Sequence, residues 1–332
     1  MKIKLVHKFE DLISIDNLLS AWQEFIKGKR NRRDVLVFSY SLMDNIFELH
    51  FDLANHTYKH GGYQQFKVSD PKSRIIHKAS VRDRLLHRAV YRILYPFFDE
   101  TFIADSFSCR NNKGTHKAIN RFRKFAQKVS KNNTKQCWIL KCDIKKFFAS
   151  IDQNILVGIL EKYIKDNNIL NLLKEIIFSF KPCGLPLGNL TSQLFANIYL
   201  NKFDQFIKHK VKARYYIRYA DDFVIFSQNK SELKIKVITI KNFLENKLKL
   251  NLHQDKIYIK TLASGVDFLG WVSFFNYRII RIKTKKRMWR RLLQNKKTET
   301  ITSYLGLLSR GNSGKVKAKI QGFIFGGVCD RI

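Results

Sequence analysis

Tyr215-Tyr216-Ile217-Arg218-Tyr219-Ala220-Asp221-Asp222-Phe223-Val224-Ile225-Phe226 is the stretch that decides the fold. Two short runs rich in aromatic and β-branched residues flank a small polar break, which reads as a β-hairpin with Asp221 and Asp222 at its tip. Two adjacent carboxylates repel each other. A divalent cation removes that repulsion and gives the pair a use. An Asp-Asp turn without a metal is the plainer alternative, since Asp is a common turn former.

The rest of the chain bounds what such a hairpin can serve. With 332 residues, 45% of them hydrophobic, it can bury a sizeable core over two or three subdomains. Lys and Arg number 62 against 27 Asp and Glu, a net charge of +35. Such an excess repels itself unless a polyanion shares it, and nucleic acid is the expected one. A membrane is the rival, but no apolar run is long enough to span a bilayer. Met1-Lys2-Ile3-Lys4 leads into a mixed polar segment and does not read as a signal peptide. Cys109, Cys137, Cys142, Cys183 and Cys329 contain no C-x-x-C pair, so free thiols in a reducing compartment are expected rather than disulfides or zinc.

Working outward, residues 1–60 read as helical, with Leu12, Ile15, Leu18, Leu19, Trp22 and Phe25 on one face. Lys27 to Arg33 is a basic break, either a solvated loop or a phosphate contact. Tyr63 to Ile76 reads as a hairpin whose basic tip is Asp70-Pro71-Lys72-Ser73-Arg74. A helix from Asp83 is expected to end at Pro96. A basic helix follows over Thr115 to Ser130, then a strand from Trp138 to Ile144. Helical residues 152–180 lead through the Pro- and Gly-punctuated loop 182–188 into a helix over 190–206. After the hairpin come a Lys-rich helix at 231–250 and short strands around Ile257 and Phe268. Between Lys283 and Lys297 stand eight basic residues and no acidic one. The spacing of Met288 with Leu292, and of Trp289 with Leu293, gives that segment an apolar helical seam.

A strand, helices and a hairpin in that order make a split βαβ arrangement, as in ferredoxin-like sheets. Asp143 would then face Asp221 across two neighbouring strands. Three carboxylates on one sheet surface suit two Mg²⁺ ions, which clamp the attacking and leaving oxygens of a phosphoryl displacement. Asp152 reads as a helix cap instead.

Asp143-Ile144-Lys145-Lys146-Phe147-Phe148 resembles the first palm motif of reverse transcriptases, and Tyr219-Ala220-Asp221-Asp222 their Y-x-D-D box. Gly184 to Gln193 resembles the intervening substrate-binding motif, His253-Gln254-Asp255-Lys256 the next motif, and Phe268-Leu269-Gly270 the primer grip. Asp83-Arg84, Pro96 and Ser106 to Arg110 resemble the fingers of the group II intron-like branch. Leu187-Gly188-Asn189-Leu190-Thr191-Ser192-Gln193 fits the L-G-x-x-x-S-Q form of diversity-generating retroelement enzymes.

The resemblance implies an α+β fold, a right-hand polymerase. Fingers would take residues 1–135, a ferredoxin-like palm 136–270 with finger helices 152–180 inserted, and a short basic helical thumb 271–332. It implies an RNA-directed DNA polymerase that copies a template-repeat RNA into adenine-mutagenised cDNA. A group II intron-like or phage-defence reverse transcriptase is the alternative, and a basic RNA-binding factor with a vestigial palm the non-enzymatic one. Two Mg²⁺ ions, with Mn²⁺ able to replace them, would be held by Asp143, Ile144, Asp221 and Asp222. Phe148 would be the steric gate against the 2′-hydroxyl, with Phe147 in the core. Arg74, Arg110 and Lys113 would meet the triphosphate, Leu187, Gly188, Gln193 and Tyr219 would shape the nucleotide pocket, and Lys256 would neutralise or protonate pyrophosphate. Implied partners are a structured template RNA with its cDNA or primer, dNTPs, and a small basic accessory protein forming a pentamer. No membrane is implied, and the setting is cytoplasmic in a bacterial, archaeal or phage-encoded protein.

Overall fold

The computed structural model describes residues 3–69, 73–294 and 297–324. Cys329 and the hairpin-tip residues Asp70, Pro71 and Lys72 lie outside the described residues. The N-terminal helices are α1 (Phe9–Ile13), α2 (Ile15–Phe25), α3 (Arg33–Tyr40) and α4 (Leu42–Ala54). Ser14 starts α2 by accepting the Asn17 N–H, and Leu18, Ala21, Trp22 and Phe25 then fall on one buried face. An antiparallel hairpin follows, β1 (Gln64–Val68) with β2 (Arg74–Lys78).

Helix α5 (Val81–Thr101) is capped by Ser80, which accepts the Asp83 N–H. It packs along α2 and α10 (Leu190–His209). Pro96, expected to end α5, lies inside it. Proline costs the helix one backbone bond. Burial of Phe98, and the contacts of Phe97 and Phe98 with the Tyr163 ring, hold the last turn in place.

The remaining elements are α6 (Thr115–Val129), β3 (Trp138–Asp143), α7 (Phe147–Ser150), α8 (Gln153–Leu160), α9 (Asn167–Phe178), β4 (Tyr216–Tyr219), β5 (Asp222–Ser227) and α11 (Lys230–Leu248). Beyond a short 3-10 turn at Gln254–Lys256 come β6 (Tyr258–Thr261), β7 (Val266–Phe268), β8 (Trp271–Ser273) and β9 (Arg278–Ile280). Three helices close the described chain, α12 (Ile282–Gln294), α13 (Thr298–Leu308) and α14 (Gly314–Ile324).

The central sheet has the order β4-β5-β3-β6 with antiparallel neighbours. β5 is thus inserted between β3 and the strand that follows its helices, which is the split βαβ arrangement. Alternation divides the strands between two cores. Leu140, Cys142, Tyr216, Phe223 and Ile225 join the helical core beneath the sheet. Ile139, Ile217, Val224 and Phe226 pack with Phe122, Phe125 and Phe268 on the other face. β7 pairs with β8 and β8 with β9, so a boundary at residue 270 would cut through a sheet. In α12, Met288 and Leu292 are buried against Trp271 and Ile280, whereas Leu293 is 59% exposed. Trp289 is half-buried against the same cluster, so of the expected seam only Leu293 faces solvent.

Candidate active site

β3 and β5 deliver the carboxylates. Their register pairs Asp143 with Asp222, not with Asp221. The expected Asp143–Asp221 pairing fails because the tip is a tight turn of two residues, Ala220 and Asp221, between the paired Tyr219 and Asp222. Ala220 adopts a left-handed φ of 52°, the conformation such turns demand. Asp221 stays beside Asp143 through the turn: its carbonyl accepts the Ile144 N–H at 3.2 Å. Ile144 itself is buried, 1% exposed.

Two lysines meet these carboxylates. Lys256 Nζ donates to Asp143 Oδ1 at 2.7 Å. The 3-10 turn carries it there because the His253 N–H is bonded to the Asp143 carbonyl at 2.8 Å. Lys141 Nζ lies 3.1 Å from Asp222 Oδ1. Among the described residues no lysine pairs with Asp221, and burial first, then the Asp143 charge, push its carboxyl up to about 6. Burial raises Asp222 as well, against the opposing pull of Lys141.

Among the described residues no three His, Cys, Asp or Glu side chains form a ready-made metal cage. The donor chemistry still fits a hard divalent cation: oxygen ligands only, crowded enough that one resists ionisation. Binding there would displace Lys256 from Asp143.

The nucleotide-pocket candidates sit beside this tip. Phe147 is buried and Phe148 only partly so, and their rings meet edge to face at 5.4 Å. Loop 184–189 joins two parts of the molecule. The Leu185 N–H bonds to the Phe148 carbonyl at 2.8 Å, and the Leu187 carbonyl accepts from His77 N–H on β2 at 2.8 Å. Gly188 has φ 116°, and a Cβ there would lie 2.7 Å from Ile76 Cγ2, so only glycine lets the loop meet the hairpin. Gln193 is exposed on the first turn of α10, and the Tyr219 hydroxyl accepts from Thr115 Oγ1 at 3.1 Å. Arg74 stands exposed at the tip end of β2, paired with Val68.

One expectation gives way. Arg110 is locked into its own neighbourhood, donating to the Asp99 carboxylate (2.6 Å) and to the carbonyls of Ile103, Ser106 and Asp99. Its side chain, 5% exposed, is a structural clamp rather than a triphosphate ligand. Lys113 donates to the Ala104 carbonyl at 2.8 Å and faces a cleft with Lys117, Arg121 and Lys124. Asp152 caps α8 through the Ile155 N–H, as its position predicts.

Several contributors escaped the sequence reading. Gln153 Nε2 donates to the carbonyls of Ile177, Phe180 and Gly184, which anchors the loop. Asn189 is buried, and among the described residues neither amide atom has a hydrogen-bond partner, which leaves it available to a ligand. Beside it, Lys29, Arg32, Arg84 and Arg88 line a cavity of about 210 Å³ that reaches Gly188. Lys141 had a visible signal: it is a cation in the apolar run that leads to Asp143.

A family model described as reverse transcriptase (RNA-dependent DNA polymerase) matches residues 62–273. Protein YkfC of Escherichia coli (strain K12) is 26% identical over 258 residues, 65% of this chain and 66% of that protein. The group II intron-encoded protein LtrA of Lactococcus lactis subsp. cremoris is 24% identical over 292 residues, 67% of this chain and 47% of its own length. The putative COX1/OXI3 intron 2 protein of Saccharomyces cerevisiae is 22% identical, over 64% of this chain and 30% of its own. The chain therefore spans less than two thirds of the length of these relatives. Apo telomerase from Candida Tropicalis superposes with a TM-score of 0.52 at 14% identity, over 65% of this chain and 48% of that one. Telomerase from Candida albicans, bound to a fragment of telomeric RNA, gives 0.51 at 13%, over 76% and 51%. The architecture is that of a right-hand polymerase.

Proposed function

The chain belongs to the reverse transcriptase family, and we propose that it is an RNA-directed DNA polymerase working by two-metal nucleotidyl transfer. The observation that carries this is the Asp143–Asp222 register on adjacent central strands, with Asp221 in the turn that joins β4 to β5. Asp143, Asp221, Asp222 and the Ile144 backbone would hold two Mg²⁺, or Mn²⁺ in their place. Such ions supply charge neutralisation at the attacking and leaving oxygens.

The chain's own residues do the rest in this reading. Phe148, half-buried on α7 with its carbonyl bonded to the Leu185 N–H of loop 184–189, excludes a 2′-hydroxyl. Leu187, Gly188 and Gln193 form the floor beneath the base pair, and Tyr219 fixes the tip through Thr115. Arg74 meets the triphosphate, and Lys29, Arg32, Arg84 and Arg88 suit template phosphates. Lys256, released from Asp143, neutralises or protonates pyrophosphate. The division into fingers, palm and thumb follows, with the palm extended through β9.

Within the family, the Ser192-Gln193 signature supports the diversity-generating type, with a template-repeat RNA, errors at template adenines and a small basic accessory protein. A group II intron-like enzyme is the second reading, favoured by the intron-encoded LtrA. Primer extension on RNA tests the activity: an Asp221→Asn protein that still incorporates dNTPs would defeat it. Sequencing the cDNA separates the subtypes, because errors spread evenly over all four template bases would rule out the diversity-generating one.

A further inference from the structure

Away from the carboxylates, one cavity gathers cations with no acid among the described residues to balance them. It holds about 100 Å³ between α6, the β8–β9 hairpin and the turn joining α13 to α14. Arg123, Arg278 and Arg310 line it with Asn276, Asn312 and Tyr277, and among the described residues no Asp or Glu does. The fold fixes Arg278 and the turn that carries Arg310. Arg278 Nε donates to the Arg310 carbonyl at 2.6 Å, and its Nη1 to Asn120 Oδ1 at 3.2 Å. Its guanidinium lies 5.6 Å from the centroid of Trp271. The turn is pressed onto that same ring: a Cβ on Gly311 would sit 2.1 Å from Trp271 Cζ3. Burial, then the charges of Arg123 and Arg310, pull the Arg278 pKa down. The three guanidiniums thus feel one another.

Like charges gathered round a pocket raise the energy of the protein unless an anion joins them. Arginine forks match phosphate oxygens. The volume selects the ligand, since whole nucleotides and similar ligands need pockets of about 300 Å³ or more. A single phosphate group fits. Beside the pocket, the Phe274 and Tyr277 rings stack at 4.7 Å and 19°, with Tyr277 47% exposed. A stacked aromatic face next to a phosphate site is how single-stranded nucleic acid is gripped.

The site is remote from the carboxylates. The turn 274–277 lies at the opposite end of β8 from Leu269-Gly270. Asn276 accepts a hydrogen bond from Asn133, which precedes β3, while Asp143 ends that strand. At about 3.4 Å per residue, β3 alone separates them by about 17 Å. We infer that the Arg123–Arg278–Arg310 pocket holds a backbone phosphate of RNA outside the polymerase cleft, with the flanking base stacked on Tyr277. This does not rest on the polymerase reading, because a catalytically dead chain would still bind RNA here.

The Arg123→Gln/Arg310→Gln variant tests it, since neither side chain makes another hydrogen bond or ion pair among the described residues. Binding is measured against salt for a long RNA with stem-loops and for a short RNA–DNA hybrid, both in an Asp221→Asn background. The expected result is a salt slope lower by about one for the long RNA alone. Arg310→Lys should restore the slope without restoring full affinity, because it keeps charge and loses the fork. An unchanged slope on the long RNA overturns the proposal, as does an equal loss on the short hybrid. If inorganic phosphate raises the melting temperature of the parent protein but not of the variant, while RNA binding is equal in both, the pocket takes free phosphate and the RNA assignment falls. Should the double variant fail to fold, Arg123→Gln alone, on an exposed helix position, gives the same readouts.

Discussion

Two groups of charges sit on opposite faces of the same hairpin and are built in opposite ways. On the helical face, Arg218 and Asp204 are both fully buried, 0% exposed. Every partner is in place: Arg218 Nε and Nη2 hold the Asp204 carboxylate, and Tyr216 donates to it at 2.7 Å. The remaining donors reach Asn197, Ser106 and the Ala220 carbonyl. On the other face stand Asp143, Asp221 and Asp222, three like charges with two lysines. The first group is neutral and complete, and holds the tip from beneath. The second is unbalanced, and its imbalance is what a cation can use. Completeness marks structure and deficiency marks chemistry, although both read as buried charge.

The largest effect expected is on activity. Asp143→Asn or Asp221→Asn should lower primer extension about 10³-fold or more, since each removes several kcal/mol of charge stabilisation. Neither should unfold the protein. Asp204→Ala should do the reverse in order of cause. It leaves Arg218 buried and unpaired, which costs about 3–5 kcal/mol of stability, and activity should fall only as folded protein is lost. Chemical denaturation of both variants checks this. If Asp204→Ala is as stable as the parent, the contrast between the two clusters is broken.

A smaller effect carries a sign. The Asp221 carboxyl titrates near 6 when folded, against 3.8 ordinarily. The folded protein thus keeps this proton longer than the unfolded chain. Stability from that preference is fully present below about 4 and lost as pH rises through 6. Above that, the charged form costs about 1–3 kcal/mol, the lower values applying because water reaches the half-buried group. With metal removed by chelator, Asp221→Asn should therefore be more stable than the parent at pH 8 and no more stable at pH 4. Equal stability at pH 8 would mean the crowding is relieved by Lys256 alone.

Much of this was legible in residues, and the remainder depended on tertiary geometry. The hairpin showed because alternation and β-branching act within a few residues. That Asp222 and not Asp221 pairs with Asp143 did not show, because a two-residue turn shifts register by one and the sequence Ala220-Asp221 carries no glycine to mark it. Arg110 looked like a ligand because its fourfold clamp comes from Asp99 and three carbonyls that only the fold brings together. Pro96 looked like a helix end because the aromatic contacts that override it lie on a distant segment. Gln153 was hidden for the same reason: its three carbonyl partners belong to residues 177–184. Arg218 did give a signal, a lone charge in a buried strand, but its role needed Asp204 from a separate helix.

The smallest effect concerns Lys141, a cation of the carboxylate group that, among the described residues, touches no member of the Arg218–Asp204 group. It is buried, 8% exposed, and is the only lysine within 4 Å of Asp222 among the described residues. Burial pushes the Asp222 carboxyl up, and the Lys141 charge opposes that rise. Lys141→Met keeps the length of the side chain and removes the charge. Asp222 should then titrate higher still, and the metal-free protein should lose stability as pH rises, the opposite trend from Asp221→Asn. Carboxyl-carbon NMR of Asp222 reads the shift directly. Arg218, bound on the other face through its own carboxylate, should show no change in its guanidinium resonances. If Asp222 titrates as before, Lys141 is a strand residue that happens to lie near the site, and the carboxylates are balanced by Lys256 and the incoming cation alone.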